Sequence, residues 1–448
     1  MAHRSLDRVL SLRDLVLLVV GAVIGSGIFL VPGIVLTQTD GRIGVALLVW
    51  LVAGVLSLLG ALTYGELSAS NPEAGGIYVY IRDSFGRFPA FLYGWTLFFM
   101  IAGGAIATLS VAFTSYLNQL VPIGGWTARL VSLAMIAVLM AVNVRGTRQS
   151  ANVQNVTTAV KVGAILIMGA LLIAGGSGLS ASAASIWPET FAASVLTGVL
   201  AAMIGVLWAY EGWQFVTFSA GEIRDPQRNF ARGLVIGTVT LIVIYCFANV
   251  AYLAALGPAG VAASSTVAAD AVGAVMGPAA GKLIALIILI SIFSAANSIL
   301  LTTPRVYYAM ARDGIFFRKL ADVHPRFGTP ATAVIAQALW AMALALSGTF
   351  NQLLTYVIFT GWIFYALGAA SIFVLRRKYP DVPRPFRVPG YPVTPVLFVL
   401  AATVIVVNTL ITQPSLALVG VGFVLSGAPA YVIWRRFGAR TVVPAPVE

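Results

Sequence analysis

The sequence predicts an all-α membrane protein of about twelve transmembrane helices, and three observations carry that prediction. Of its 448 residues, 59% are aliphatic, aromatic or cysteine and only 9% are charged, against roughly 25% charged in soluble domains. The apolar residues gather in runs near the ~20 residues that cross a hydrocarbon core at 1.5 Å per residue. The Lys and Arg residues gather between those runs, on alternate connections. No long polar loop or low-complexity tract divides the chain, so residues 1–448 read as a single transmembrane domain.

The predicted spans, numbered in order, are 1 (15–36), 2 (43–67), 3 (89–117), 4 (128–142), 5 (153–173) and 6 (191–218). They continue with 7 (233–256), 8 (282–308), 9 (331–346), 10 (353–375), 11 (393–411) and 12 (416–434). Arg4, Arg8 and Arg13 precede span 1 with no small-residue cleavage site after a short apolar core, so the segment reads as a retained span and not a leader. With segments numbered alternately, every basic residue except Arg42, Arg129, Lys161 and Lys282 falls on one side. That asymmetry predicts an even span count with both termini cytoplasmic in the cell membrane. The tail after Arg440 reads as disordered.

The same placement explains the net charge of +12. There is no basic stripe interleaved with aromatics, which excludes a nucleic-acid partner. One cysteine, Cys246, excludes an internal disulfide framework. No nucleotide loop, catalytic constellation or metal-ligand set occurs, so neither an enzyme nor a cofactor or metal is expected. A channel would want rings of polar or charged residues along a pore; here the charges within spans are single. The bilayer and a small-molecule solute are the expected partners.

Lipid offers no hydrogen bonds, so helix-breaking residues inside a span are informative. Span 1 contains Gly25-Ser26-Gly27 near its centre, and span 6 contains Trp208-Ala209-Tyr210-Glu211-Gly212-Trp213. Paired interruptions five spans apart point to a transporter binding site. An unwound helix bares N–H groups where its second half starts and C=O groups where its first half ends. The first end suits a carboxylate and the second an ammonium, so a broken helix offers both poles of an amino acid.

These motifs resemble those of the amino acid–polyamine–organocation superfamily, most similarly its L-type amino acid transporter family. Gly25 to Phe29, Gly75-Gly76-Ile77-Tyr78-Val79-Tyr80, Trp208 to Trp213 with Glu222 to Asn229, and Arg376 to Arg387 match in order. The resemblance implies a LeuT-like fold, with inverted repeats at about 12–175 and 189–377 and added helices at about 393–437. It implies alternating access and sodium-independent exchange of L-amino acids; a proton-coupled amino acid or amine symporter is the alternative. By position, the substrate carboxylate meets the amides of Ser26, Gly27 and Ile28 after Gly25, with the Ser26 hydroxyl. The amino group meets carbonyls of Val23, Ile24, Trp208, Ala209 and Glu211, and Trp208 supplies an aromatic gate. Animal relatives carry a cysteine before span 4 that bonds a heavy subunit. None stands in 118–126, so no disulfide-linked partner is expected.

Lys161 lies mid-span 5, where an ammonium needs partners inside the bundle. The resemblance makes it a tethered cation replacing sodium between spans 1, 5 and 8, with Ser291, Ser294 and Asn297 as nearby oxygens. Glu211 is the carboxylate deep in a span, available to a cationic side chain, to a proton or to a structural pair. Glu66 reads as interfacial, and Glu222, Arg224, Asp225 and Arg228 as a salt-bridged turn.

Overall fold

A computed structural model describes residues 6–178, 186–190, 193–347 and 350–438. The tail after Arg440 lies outside the described residues. Among them the chain is helical apart from turns and one isolated parallel bridge between Leu10 and Ile223. Among the described residues ten helices are long and apolar enough to cross a bilayer, and a bent pair, Leu12–Val23 and Gly27–Gln38, forms span 1 with a 48° angle between its halves. Ala331–Ser347, at 17 residues, occupies the place of span 9.

The remaining spans are 2 (Ile43–Ser70), 3 (Arg87–Asn118), 4 (Gly125–Val144), 5 (Thr147–Gly175), 6 (Ala193–Glu222) and 7 (Pro226–Ala263). Spans 8 (Ala279–Arg312), 10 (Phe359–Lys378), 11 (Val393–Thr412) and 12 (Ala417–Arg436) complete the bundle. Spans 1, 6 and 8 pack at its centre, flanked by 3, 5, 7 and 10, while 11 and 12 lie against 2, 3 and 10.

Local chemistry fixes the ends that matter. Ser11 and Asp14 form a capping box at the start of span 1. Arg148 Nη1 donates to Asp14 Oδ2 at 2.6 Å, tying that start to span 5. Between spans 2 and 3 lies a short amphipathic helix, Ile77–Phe85, entered through Gly75 and Gly76 at φ +112° and +47°. A Cβ on Gly76 would stand 2.5 Å from the Thr217 hydroxyl, so only glycine lets this turn close on span 6. Span 3 loosens into π-helix at Leu97–Ala102. Trp340 Nε1 donates to Phe99 O at 2.8 Å, so Trp340 is a hydrogen-bond donor to that loosened turn as well as a packing ring.

Of two expectations about charged groups, one gains partners and the other needs correcting. Glu66, near the end of span 2, is buried in protein: it accepts Arg376 Nε at 2.7 Å, Arg376 Nη2 at 2.6 Å and the Val388 amide at 2.6 Å. The segment after span 10 thus folds back onto the end of span 2. The expected salt-bridged turn after span 6 does not form among the described residues. Glu222 turns inward instead, and Asp225, at φ +48°, starts span 7 with its carbonyl accepting the Arg228 and Asn229 amides.

Candidate functional site

The two breaks meet. Span 1 leaves helical geometry at Ile24 (ψ +92°) and resumes at Gly27. Span 6 leaves it after Ala209 and resumes as a tight 3-10 segment, Trp213–Glu222. Gly212 makes the turn at φ +129°, and a Cβ there would lie 2.8 Å from the Ala22 carbonyl. A Cβ on Gly27 would lie 2.7 Å from Ala209 Cβ. Gly25 differs: its Cβ would meet nothing nearer than 3.9 Å. Gly27 and Gly212 therefore bring the two backbones together, and Gly25 leaves space open.

That space is a cavity between the breaks. Ala22, Val23, Gly25, Ser26 and Gly27 form one wall, and Trp208, Ala209, Glu211 and Phe215 another. Ala105, Thr108 and Leu109 of span 3, Ala295 and Ile299 of span 8, and Val357 close it. Three buried polar atoms on this lining have no hydrogen-bond partner: Ser26 Oγ, Thr108 Oγ1 and Glu211 Oε2. Buried polar groups are normally paired with protein or ordered water, so these three atoms leave the cavity able to take a polar ligand. Trp208 is half-buried at the rim. The Ile24 and Ile28 side chains do not line the cavity; both are fully buried in the core.

The carbonyls at the breaks are more heavily used than the sequence suggested. Tyr245 of span 7 places its hydroxyl 2.9 Å from Ala209 O and 3.1 Å from Val23 O, sharing one proton between the two broken helices. Ile24 O accepts both Lys161 Nζ at 2.6 Å and Ser291 Oγ at 2.9 Å. Trp208 O accepts the Glu211 amide at 3.0 Å. A carbonyl has two lone pairs, so Val23 and Ala209 retain one each, whereas both acceptor positions of Ile24 are filled.

Lys161 is fully buried and also donates to Gly21 O at 2.7 Å. Its ammonium thus holds the last turn of the first half of span 1. Ser291 reinforces the same turn, bonding Gly25 O at 3.0 Å. Ser294 does not join them: one helical turn further on, it accepts Gln154 Nε2 at 3.0 Å. Asn297 joins that second network, donating to Gln154 Oε1 at 3.1 Å and accepting Asn143 Nδ2 at 2.9 Å. Among the described residues no group of His, Cys, Asp and Glu could hold a metal ion.

Below the cavity, toward the face bearing the basic residues, the bundle is shut by a buried ion pair. Arg305 Nε donates to Glu222 Oε2 at 2.5 Å and Nη2 to Oε1 at 3.0 Å. Thr147 donates to Glu222 Oε1 at 2.7 Å, so spans 5, 6 and 8 converge there. The Val9 and Leu10 amides both donate to Glu222 O at 2.9 Å, closing the N-terminal segment over the same point. Tyr245 and Arg305 were both missed by sequence reasoning. A tyrosine in an apolar span carries no signal, but Arg305 lay inside the predicted span 8 and should have been treated as a charge needing a partner.

Two broken helices around a cavity of unpartnered polar atoms, shut at one end, define a multi-span membrane transporter. Comparison with known proteins narrows this. The model for amino acid permeases matches residues 10–433, and the chain belongs to that family. It is 30% identical to the b(0,+)-type amino acid transporter 1 of Mus musculus, over 99% of this chain and 91% of the mouse protein. It is 31% identical to the Large neutral amino acids transporter small subunit 2 of Rattus norvegicus, over 94% of this chain and 80% of that one. With the Serine/threonine exchanger SteT of Bacillus subtilis it shares 32% identity, over 92% and 94% of the two chains.

Proposed function

We propose that the protein exchanges L-amino acids across the cell membrane by alternating access, with both termini cytoplasmic. The observation that carries this reading is the trio of unpartnered atoms, Ser26 Oγ, Thr108 Oγ1 and Glu211 Oε2, on a cavity between two helix breaks. The first amides of the half-helix at Gly27 take the carboxylate with Ser26. The free lone pairs of Val23 O and Ala209 O take the ammonium, and Trp208 covers the ligand. That the relatives are amino acid transporters and a serine/threonine exchanger supports amino acids as the class. In this reading the fold is LeuT-like, with inverted repeats at about 12–175 and 189–377 and accessory helices at about 393–437.

Lys161 stands in for a bound sodium ion, its ammonium supplying the positive charge under the span 1 break. No disulfide-linked heavy subunit is proposed, because Cys246 lies within span 7 and none precedes span 4. The buried second oxygen of Glu211 favours one other reading, proton-coupled symport, in which that carboxylate carries the proton. Uptake into proteoliposomes with and without internal amino acid, and with and without a proton gradient, tests both. Exchange requires the internal amino acid; uptake that instead requires the gradient would replace the exchange reading.

A further inference from the structure

We infer that Thr108 is a specificity-determining residue, and that with Glu211 it selects an amino acid whose short side chain carries a hydroxyl. The inference rests on the amino acid reading of the cavity and adds the side chain it takes. The cavity is divided by its chemistry. Its span 1 wall offers amides and the Ser26 hydroxyl to a carboxylate, while Thr108 and Glu211 are contributed by spans 3 and 6. Around them the lining is apolar: Ala105, Leu109, Phe215, Ala295, Ile299 and Val357.

Thr108 behaves unlike its neighbours on span 3. Thr96 and Thr114 each bond the carbonyl four residues back, to Leu92 O at 2.7 Å and Ser110 O at 3.0 Å. Such back-bonding is the ordinary way a threonine satisfies itself inside an apolar helix. Thr108 makes no such bond although it is only 3% exposed. Glu211 is half satisfied: Oε1 accepts the Tyr365 hydroxyl at 2.7 Å, and Oε2 accepts nothing. A substrate hydroxyl completes both, donating to Glu211 Oε2 and accepting from Thr108 Oγ1. A methyl of the same shape leaves both unpaired, and sites built to bond a substrate hydroxyl reject the analogue lacking it. Ala105, Ala295 and Gly25 leave room for a short side chain, with no basic or acidic group beyond Glu211 on the lining.

Threonine and valine are nearly isosteric, so their ratio isolates the hydroxyl. The test measures half-saturating concentrations for threonine, valine, serine, alanine and lysine in exchange by proteoliposomes carrying the parent protein, Thr108→Val or Thr108→Ser. The parent is expected to favour threonine over valine by about ten-fold, and serine over alanine similarly. Thr108→Val should bring the threonine-to-valine ratio toward one, and Thr108→Ser should keep it. Equal use of threonine and valine by the parent, a preference for lysine, or a ratio unaltered in Thr108→Val would overturn the inference. The parent ratios decide even if Thr108→Val fails to fold. Exchange of no amino acid at all would instead sink the transport reading on which it stands.

Discussion

The ion pair between Glu222 and Arg305 should hold the transport path closed on the basic face, and Glu222→Gln should release it. Both side chains are 1% exposed, and the guanidinium meets both carboxylate oxygens. Glutamine keeps the shape, but its amide nitrogen then faces an Arg305 N–H, donor against donor, and the cation is left buried without its counter-charge. Breaking a buried pair from one side costs about 3–5 kcal/mol. If the closed state alone contains the pair, the closed-to-open ratio falls by roughly two to three and a half powers of ten. A reporter cysteine at Ala295, on the cavity wall, reads this in a Cys246→Ala background. In the Glu222→Gln protein an impermeant thiol reagent should label the reporter from the basic face, where the parent resists. Adding Arg305→Met should restore protection, since removing both charges costs little compared with stranding one. Equal labelling of parent and Glu222→Gln in protein that still folds would refute the latch and leave the pair a static tie.

Four further substitutions separate roles within the site. Lys161→Met removes the donor from Gly21 O and Ile24 O; exchange should fall at least about ten-fold, as for a lost charge-assisted hydrogen bond, while replacing sodium by choline leaves the parent rate unchanged. A sodium-dependent parent, or a fully active variant, would contradict the surrogate cation. Gly25→Val should abolish substrate-dependent thermal stabilisation with little loss of intrinsic stability, because its Cβ enters open space. Gly27→Ala should instead cost about 1–3 kcal/mol of stability through overpacking against Ala209; the reverse pattern of melting temperatures would show the cavity wall misassigned. Glu211→Gln should alter the cationic-to-neutral preference or the pH dependence of exchange, and no change in either would make Glu211 a structural partner of Tyr365.

The spans and both breaks were legible because each is a local property of sequence: apolar length, and glycine or a carboxylate where neither belongs. Lys161 was legible for the same reason, as a lone charge with nowhere to go but inward. What stayed hidden is pairing at long range. Tyr245 meets carbonyls 222 and 36 residues away, and nothing in its own neighbourhood marks it. Ser291 and Ser294 lie one turn apart and looked equivalent, yet that turn carries one to span 1 and the other to Gln154 of span 5. Glu66 looked like a lone carboxylate near a span end; its partners, Arg376 and the Val388 amide, lie more than three hundred residues away. The orphan state of Thr108 depends on which face of span 3 meets the cavity, which the evenly apolar sequence around it leaves open.

The Tyr245 hydroxyl has a mechanical meaning. Because one oxygen touches the ends of both interrupted helices, neither can slide or rotate alone without giving up its share of a single proton. Two segments nearly two hundred residues apart in the chain are thereby yoked to a third, and whatever settles at one interruption is felt at the other. The pivot of such a machine is then a shared point of contact rather than a flexible linker, and span 7 travels with the pair it joins.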